Sequence, residues 1–167
     1  MGKAILFHEK QHFRQWWLWL LLIIFPAYSI YAGWQQFADA GSIGEALLIN
    51  GGELLVLGAI ITLMLTINLE TSIREDGIDV RLFPFHIKFR HFEWHTLRKV
   101  YVRQYAPLKE YGGWGLRWGL FGSGTAYNIS GNTGIQLVFM DGGKLLIGTR
   151  KPDECKAALQ QIGHYRP

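Results

Sequence analysis

The sequence contains little cysteine and little charge. Cys155 is the single cysteine among 167 residues, which excludes an intrachain disulfide framework and a cysteine-rich zinc site. Charged residues make up 18% of the chain and hydrophobic residues 49%, which excludes disordered, collagen-like and highly charged tail proteins. The length fits a single domain at the usual ~100–200 residues per domain.

Lysine and arginine are absent between Arg14 and Arg74, and two apolar runs fill most of this interval. Each run is close to the ~20 residues that a helix needs to cross a bilayer. The positive-inside rule then places both termini in the cytoplasm of a multi-pass inner-membrane protein. The predicted divisions are a juxtamembrane segment at 1–15, transmembrane helices at 16–34 and 47–69, an external loop at 35–46 and a cytoplasmic domain at 70–167.

The residues after Leu69 show the alternation and turn signals of an antiparallel β domain. Asp76-Gly77 and Asp141-Gly142-Gly143 predict hairpin turns, and the alternation from Phe83 to Arg90 predicts a half-buried strand. Pro152 predicts the start of a capping helix over 152–163 that buries one face. About seven strands and this helix predict a small antiparallel barrel or sandwich. The predicted fold class is a membrane-anchored α+β protein, with a transmembrane hairpin before the β domain.

Four stretches resemble bacterial membrane-anchored proteins with a pleckstrin-homology-like domain. They are Gln11-His12-Phe13-Arg14-Gln15-Trp16-Trp17, Tyr111-Gly112-Gly113-Trp114-Gly115-Leu116-Arg117, Ala126-Tyr127-Asn128-Ile129-Ser130-Gly131 and Leu146-Ile147-Gly148-Thr149-Arg150-Lys151-Pro152-Asp153-Glu154. The resemblance implies a pleckstrin-homology-like β domain attached to a membrane by two helices. It implies no catalytic residue and no ligand.

Two short histidine motifs have the composition of metal sites. His8-Glu9-Lys10-Gln11-His12 matches H-E-x-x-H, which on a helix places two histidines beside a glutamate that activates zinc-bound water. His91, Glu93 and His95 share one side of a straight strand. We interpret the first motif as a juxtamembrane segment and the second as the polar face of a strand.

Two further residues have both a structural and a functional interpretation. Cys155 lies on the buried stripe of the terminal helix, which favours a core residue over a nucleophile. Glu53 lies at the start of the second apolar run, where an interfacial carboxylate is favoured over an ion relay.

Basic and aromatic side chains are concentrated in the middle of the β domain. Residues 69–167 contain 14 basic and 9 acidic residues, a net charge of 14 − 9 = +5. Such a surface suits anionic headgroups or a protein partner. The candidate surface residues are Lys99, Tyr101, Arg103, Tyr105, Lys109, Tyr111, Trp114, Arg117 and Trp118.

The sequence therefore predicts a non-enzymatic interaction module that binds a protein partner or anionic lipid headgroups, without a cofactor. The modest positive charge does not favour nucleic acid. Gly58 and Thr62 form a small-x-x-x-small pair that allows a homo-oligomer. One alternative is an accessory subunit of a membrane transporter or complex that uses Glu53. The other is a zinc-dependent hydrolase that uses residues 8–12.

Overall fold

The computed structural model describes residues 4–13, 16–40, 43–119 and 122–167. Within the helices, the side chains at 16–18, 21, 36–40, 43–50 and 53–54 lie outside this description. The chain divides into two compact units. We call them the helical unit, within 14–66, and the β body, formed by the residues up to Phe13 together with Ile67–Pro167.

The helical unit contains two helices that pack against each other, α1 (Trp16–Ala40) and α2 (Ile43–Thr66). No helix in the described part of the chain combines the length and the apolar character of a membrane span. This finding contradicts the predicted transmembrane hairpin and, with it, the multi-pass inner-membrane location with both termini in the cytoplasm.

The first sheet of the β body has four antiparallel strands in the order β1-β2-β3-β4. They are β1 (Ile5–His12), β2 (Asn68–Arg74), β3 (Gly77–Phe83) and β4 (Arg90–Glu93). The Asp76-Gly77 signal lies at the turn of the β2–β3 hairpin. β1 is an edge strand, and its register runs from Ile5 opposite Arg74 to His12 opposite Asn68.

The N-terminal residues are therefore a strand of the β body and not a juxtamembrane segment. Burial along β1 alternates, with Phe7, Glu9 and Gln11 facing inward. Two of these side chains form hydrogen bonds with residues 148–150, far along the chain. Glu9 accepts hydrogen bonds from the Thr149 hydroxyl (2.6 Å) and the Arg150 amide (2.9 Å). Gln11 donates to the Gly148 carbonyl at 2.8 Å.

The second sheet has five strands in the order β5-β8-β9-β7-β6. They are β5 (Leu97–Gln104), β6 (Gly115–Trp118), β7 (Thr125–Asn128), β8 (Thr133–Phe139) and β9 (Lys144–Gly148). A short helix, α3 (Pro107–Tyr111), lies between β5 and β6, and the final helix is α4 (Pro152–Gln161). The pair β7–β9 is parallel, whereas the other pairs in this sheet are antiparallel.

One hydrophobic core joins the two sheets and α4. Ile73 and Val80 contribute from the first sheet, Leu137 and Ile147 from the second, and Leu159 from α4. The predicted terminal helix is present, and its Cys155, Ala158 and Leu159 are buried. A helix packed on two sheets in this way covers apolar surface that a bare sandwich exposes to water.

The β body thus corrects the predicted fold in three respects. It is an α+β unit of two sheets with four and five strands in the described residues, not an antiparallel barrel of about seven strands. It includes the N-terminal strand. The half-buried strand predicted over Phe83 to Arg90 is absent, because β3 ends at Phe83 and the next strand begins at Arg90.

Cys155 is fully buried, which determines its reactivity. Burial, reinforced by the nearby Glu9 carboxylate, raises the pKa of its thiol above the ordinary range. Since the thiolate is the reactive form, we expect a disulfide reagent to modify the native chain at least about 1,000-fold more slowly than the unfolded chain. The release of thionitrobenzoate, measured with and without denaturant, checks this. Equal rates in both conditions would contradict the burial of Cys155.

Candidate binding surface

The candidate surface is built on the outward face of the second sheet. Along β5, Val100 faces the core while Tyr101 and Arg103 face away from it. Antiparallel pairing sets Tyr101 opposite Gln136 of β8. After β5, the chain turns into α3, which has Pro107 at its N-terminus and ends at Gly112 in the left-handed conformation, with a φ of 69°.

Two of the predicted surface residues, Tyr105 and Tyr111, belong to the interior. They form a second buried cluster with Ala126 and Leu146, and their rings meet edge to face at 5.9 Å. The Tyr105 hydroxyl accepts a hydrogen bond from Asn128, and the Tyr111 hydroxyl donates to the Ser123 carbonyl. Burial raises the pKa of both phenols. These tyrosines therefore fix the α3 segment on the sheet and are not available to a partner.

Arg103 has a similar structural role. Its Nε donates to Gln136 at 3.0 Å, and its Nη atoms donate to both Glu110 carboxylate oxygens, to the Gln104 carbonyl and to the Tyr111 hydroxyl. These contacts use all five N–H groups of a guanidinium. Arg103 therefore links β5, β8 and α3, and it has no donor left for a ligand.

The Arg103–Glu110 pair predicts a pH-dependent contribution to stability. The hydrogen bond from Arg103, aided by the Ala106 amide, lowers the pKa of Glu110. A carboxylate with a lowered pKa stabilises the fold above its unfolded pKa, and this contribution is lost as the pH falls through the folded pKa. We expect Glu110→Gln to lower the free energy of unfolding by about 1 kcal/mol at neutral pH.

Urea unfolding at neutral and acidic pH measures this difference. The wild-type and Glu110→Gln curves should converge once the pH is below the folded pKa of Glu110. Glu154→Gln is the matched control, because Glu154 pairs with Lys151 at an exposed position on α4. An effect of Glu110→Gln that stays constant down to acidic pH would contradict the ion pair.

An open pocket of about 330 Å³ lies beside Arg103. Tyr101, Glu110, Gly122, Ser123, Gln136 and Lys144 also line it. Lys144 is exposed, and its ammonium group lies 3.4 Å from the Gly122 carbonyl. Gln136 and Lys144 were not among the predicted residues. Gln136 could have been singled out from the sequence, since it is a polar residue between the apolar residues of β8. In the structure its side chain is buried, at 2% exposure.

The remaining predicted residues are partly or wholly exposed. Lys99 donates to the Pro167 carbonyl, and Trp114 is half-buried, with its indole N–H donating to Gly131. Lys109, on α3, is exposed. Arg117 and Trp118 lie on β6, an edge strand, and the Trp118 side chain is 76% exposed. The structure therefore divides the nine residues into two groups. Tyr105 and Tyr111 are buried anchors, to which the half-buried Arg103 is linked, and the others are partly or wholly exposed.

The H-E-x-x-H motif lies on β1, and strand geometry separates its members. His8 and His12 are four residues apart, about 13 Å along a strand, whereas the zinc motif places them on one face of a helix, where residues i and i+4 have Cβ atoms about 5–6 Å apart. Glu9 points to the opposite, buried face, and His8 bonds to Ser72 at 2.9 Å. The motif therefore lacks the helical arrangement on which the zinc-hydrolase alternative depends.

The second histidine motif is also dispersed. His91 lies on β4 and bonds to Asp79 at 2.7 Å. His95 lies in a 3₁₀ turn after the strand and contacts Glu93 at 3.0 Å. No group of three or more potential metal ligands occurs among the residues that the structure describes.

The predictions on the helical unit are tested only in part. The Glu53 side chain lies outside the described residues, so its role in an accessory subunit remains a hypothesis. Thr62 donates to the Gly58 carbonyl at 2.8 Å within α2. A Cβ at Gly58 would meet nothing within 4 Å, and the predicted homo-oligomer remains a prediction.

Comparison with known proteins gives no family assignment: no protein-family model and no curated protein matches the chain. The resemblance to bacterial membrane-anchored pleckstrin-homology-like proteins is therefore not supported. Within the described residues, no helix has the length and apolar character of the membrane spans that the resemblance implied. About half of the residues in the four quoted stretches are glycines, aromatic residues and turn residues, which recur in unrelated β proteins.

Proposed function

We propose that the β body is a non-enzymatic interaction module that binds an acidic partner protein. The contact would be made by Leu108, Lys109, Arg117 and Trp118, which we call the α3–β6 surface. The observation that carries the proposal is the 76% exposure of Trp118 on an edge strand, where the preceding residue, Arg117, is also exposed and projects from the other face of the strand. Tryptophan and arginine are, with tyrosine, the residues enriched at the energetic centres of protein interfaces.

The buried anchors support this proposal because they make the surface rigid. Tyr105 and Tyr111 hold the α3 segment against the second sheet, and the Arg103–Glu110 ion pair at 2.7 Å fixes it to β5. A partner that binds a preorganised surface does not have to order it first, which reduces the entropic cost of association.

Charge supports an acidic partner in particular. Lys109 and Arg117 make no ion pair within the described residues. The Arg117 Nε donates to the Trp114 carbonyl at 2.9 Å, which leaves other guanidinium donors for a partner. Opposite charge on the partner would accelerate association and select against basic proteins.

The edge position of β6 supplies a further means of contact. Among the described residues β6 pairs only with β7, so in this part of the chain its outer side has backbone donors and acceptors without a strand partner. Extended segments of partner proteins add to such edges by main-chain hydrogen bonds. Four residues offer a short edge, so side-chain contacts at Trp118 would supply much of the affinity.

Site-specific photo-crosslinking in cells tests the proposal. A photo-reactive phenylalanine analogue replaces Trp118 in the full chain, and a matched sample carries it at Met140, which is also exposed, at 62%. We expect one predominant adduct at position 118, on a protein segment rich in Asp and Glu, and none at position 140. The double change Lys109→Glu and Arg117→Glu should abolish the adduct.

Two results would overturn the proposal. The first is the same set of adducts at positions 118 and 140, which would indicate nonspecific collisions. The second is an adduct at position 118 that survives both charge reversals. A change of Lys156→Glu on α4, another exposed lysine of the β body, controls for net charge alone.

A further inference from the structure

The loop between β3 and β4, residues 84–89, exposes three large apolar side chains. Phe85 is 52% exposed, Ile87 77% and Phe89 43%. They are alternate residues of a six-residue loop, whereas large apolar side chains on most protein surfaces are scattered singly. The loop therefore forms a local apolar patch on the β body.

Contacts of His86 and Arg90 hold the loop against the rest of the β body. The His86 ring packs on the Tyr127 ring at a centroid distance of 4.9 Å, and the His86 amide donates to the Leu82 carbonyl at 2.7 Å. Arg90, at the end of the loop, donates to the Tyr127 hydroxyl. These contacts hold the backbone of the loop against the β body while Phe85 and Ile87 point outward.

The charged residues of the loop and of its neighbours in sequence are basic. No Asp or Glu occurs between Asp79 and Glu93, an interval that contains Arg81, Lys88 and Arg90. Arg81 lies over the Phe89 ring at 4.4 Å and pairs with Glu70 at 2.7 Å, so its charge is compensated. Lys88 and Arg90 are exposed and make no ion pair in the described part of the chain.

We propose that loop 84–89 docks the β body onto an anionic lipid surface. Phe85, Ile87 and Phe89 would enter the interfacial layer, where apolar and aromatic side chains partition favourably. Lys88 and Arg90 would contact the headgroup phosphates. This is a peripheral contact that needs no membrane-crossing helix, and it is independent of the partner site on the α3–β6 surface.

Charge complementarity favours lipid over a second copy of the chain. Two such loops meeting face to face would bring like charges together at Lys88 and Arg90, which is unfavourable. An anionic lipid layer accepts the cations and the apolar side chains at the same time.

A local probe is needed because α1 and α2 also expose apolar side chains, such as Ile23 and Leu55. The full chain with Ile87→Cys is labelled with an environment-sensitive fluorophore, and buried Cys155 stays unlabelled. Vesicles of phosphatidylcholine, with or without phosphatidylserine, carry a lipid-borne quencher. Met140→Cys is the matched control at an exposed turn of the same unit.

We expect strong quenching at position 87 on vesicles with phosphatidylserine, little on phosphatidylcholine alone and little at position 140. Lys88→Glu, added to the labelled chain, should weaken partitioning roughly tenfold. Equal quenching at both positions, or none at position 87, would overturn the proposal. A concentration-dependent spectral shift at position 87 without vesicles would also overturn it, in favour of self-association.

Discussion

Replacing Phe7 by alanine is expected to lower the free energy of unfolding by about 3–4 kcal/mol. Phe7 is 5% exposed on β1 and belongs to the core shared by both sheets and α4. Its removal leaves a cavity at the edge of the first sheet, opposite Ile73. Chemical denaturation followed by circular dichroism measures the change.

Ile5→Ala is the matched control, because Ile5 lies two residues away on the same strand and is 53% exposed. We expect it to change stability by less than about 1 kcal/mol. Equal small effects of both substitutions would mean that the N-terminal residues do not belong to the core.

Replacing Glu9 by alanine is expected to lower the free energy of unfolding by about 3 kcal/mol. The Glu9 side chain is buried at 6% exposure and accepts two hydrogen bonds, from the Thr149 hydroxyl and the Arg150 amide. Hydrogen bonds to a charged acceptor are worth about 1.5–3 kcal/mol each, and alanine leaves both donors without this partner. The same denaturation experiment measures the loss.

Lys10→Ala is the control, because the neighbouring side chain points to the exposed face of β1. Glu9→Gln should lose less than Glu9→Ala, since an amide oxygen still accepts a hydrogen bond. If Glu9→Ala were as mild as Lys10→Ala, the link between β1 and residues 149–150 would be wrong.

The local elements of the β body could be predicted from sequence. The Asp76-Gly77 and Asp141-Gly142-Gly143 turns, and the helix that begins at Pro152, are encoded by neighbouring residues. The buried stripe of α4 follows from spacing alone. These signals need no knowledge of distant partners.

The position of β1 could not be predicted in the same way. His12 pairs with Asn68, a partner that lies far along the chain beyond both helices of the helical unit. The inward positions of the strand include Glu9 and Gln11, so hydrophobic alternation is hidden by buried polar residues. Their partners, Thr149 and Gly148, are even more distant in sequence.

At loop 84–89 the prediction is wrong in the opposite way: apolar and polar residues alternate there, but they do not form a strand. Phe83 is the last β3 residue to pair with β2, because its partner Asn68 is the first residue of β2. β4 pairs only with the beginning of β3, from Gly77 to Val80. Residues 84–89 have no neighbouring strand in the part of the chain that the structure describes, and their alternate apolar side chains are exposed.

The candidate surface was predicted only as far as strand alternation allows. Alternation placed Tyr101 and Arg103 away from the core, and the pocket lies there. Strand alternation does not reveal which other segment covers a face of the sheet. Here α3 lies against the face that carries Arg103, and Tyr105 and Tyr111 are buried there. Arg103 has a structural role because it forms an ion pair with Glu110 of α3. The same carboxylate accepts a hydrogen bond from the Ala106 amide, four residues earlier.

The central claim is that residues 5–12 are an integral strand of the β body, because this strand joins the N-terminal residues to the core and separates the histidines of the H-E-x-x-H motif. Amide hydrogen exchange on the full chain tests it most directly. We predict that the β1 amides bonded to β2 are protected to a degree comparable with the amides of β2 itself. Exchange of residues 5–12 at the rate of an unstructured peptide, while β2 stays protected, would contradict the claim.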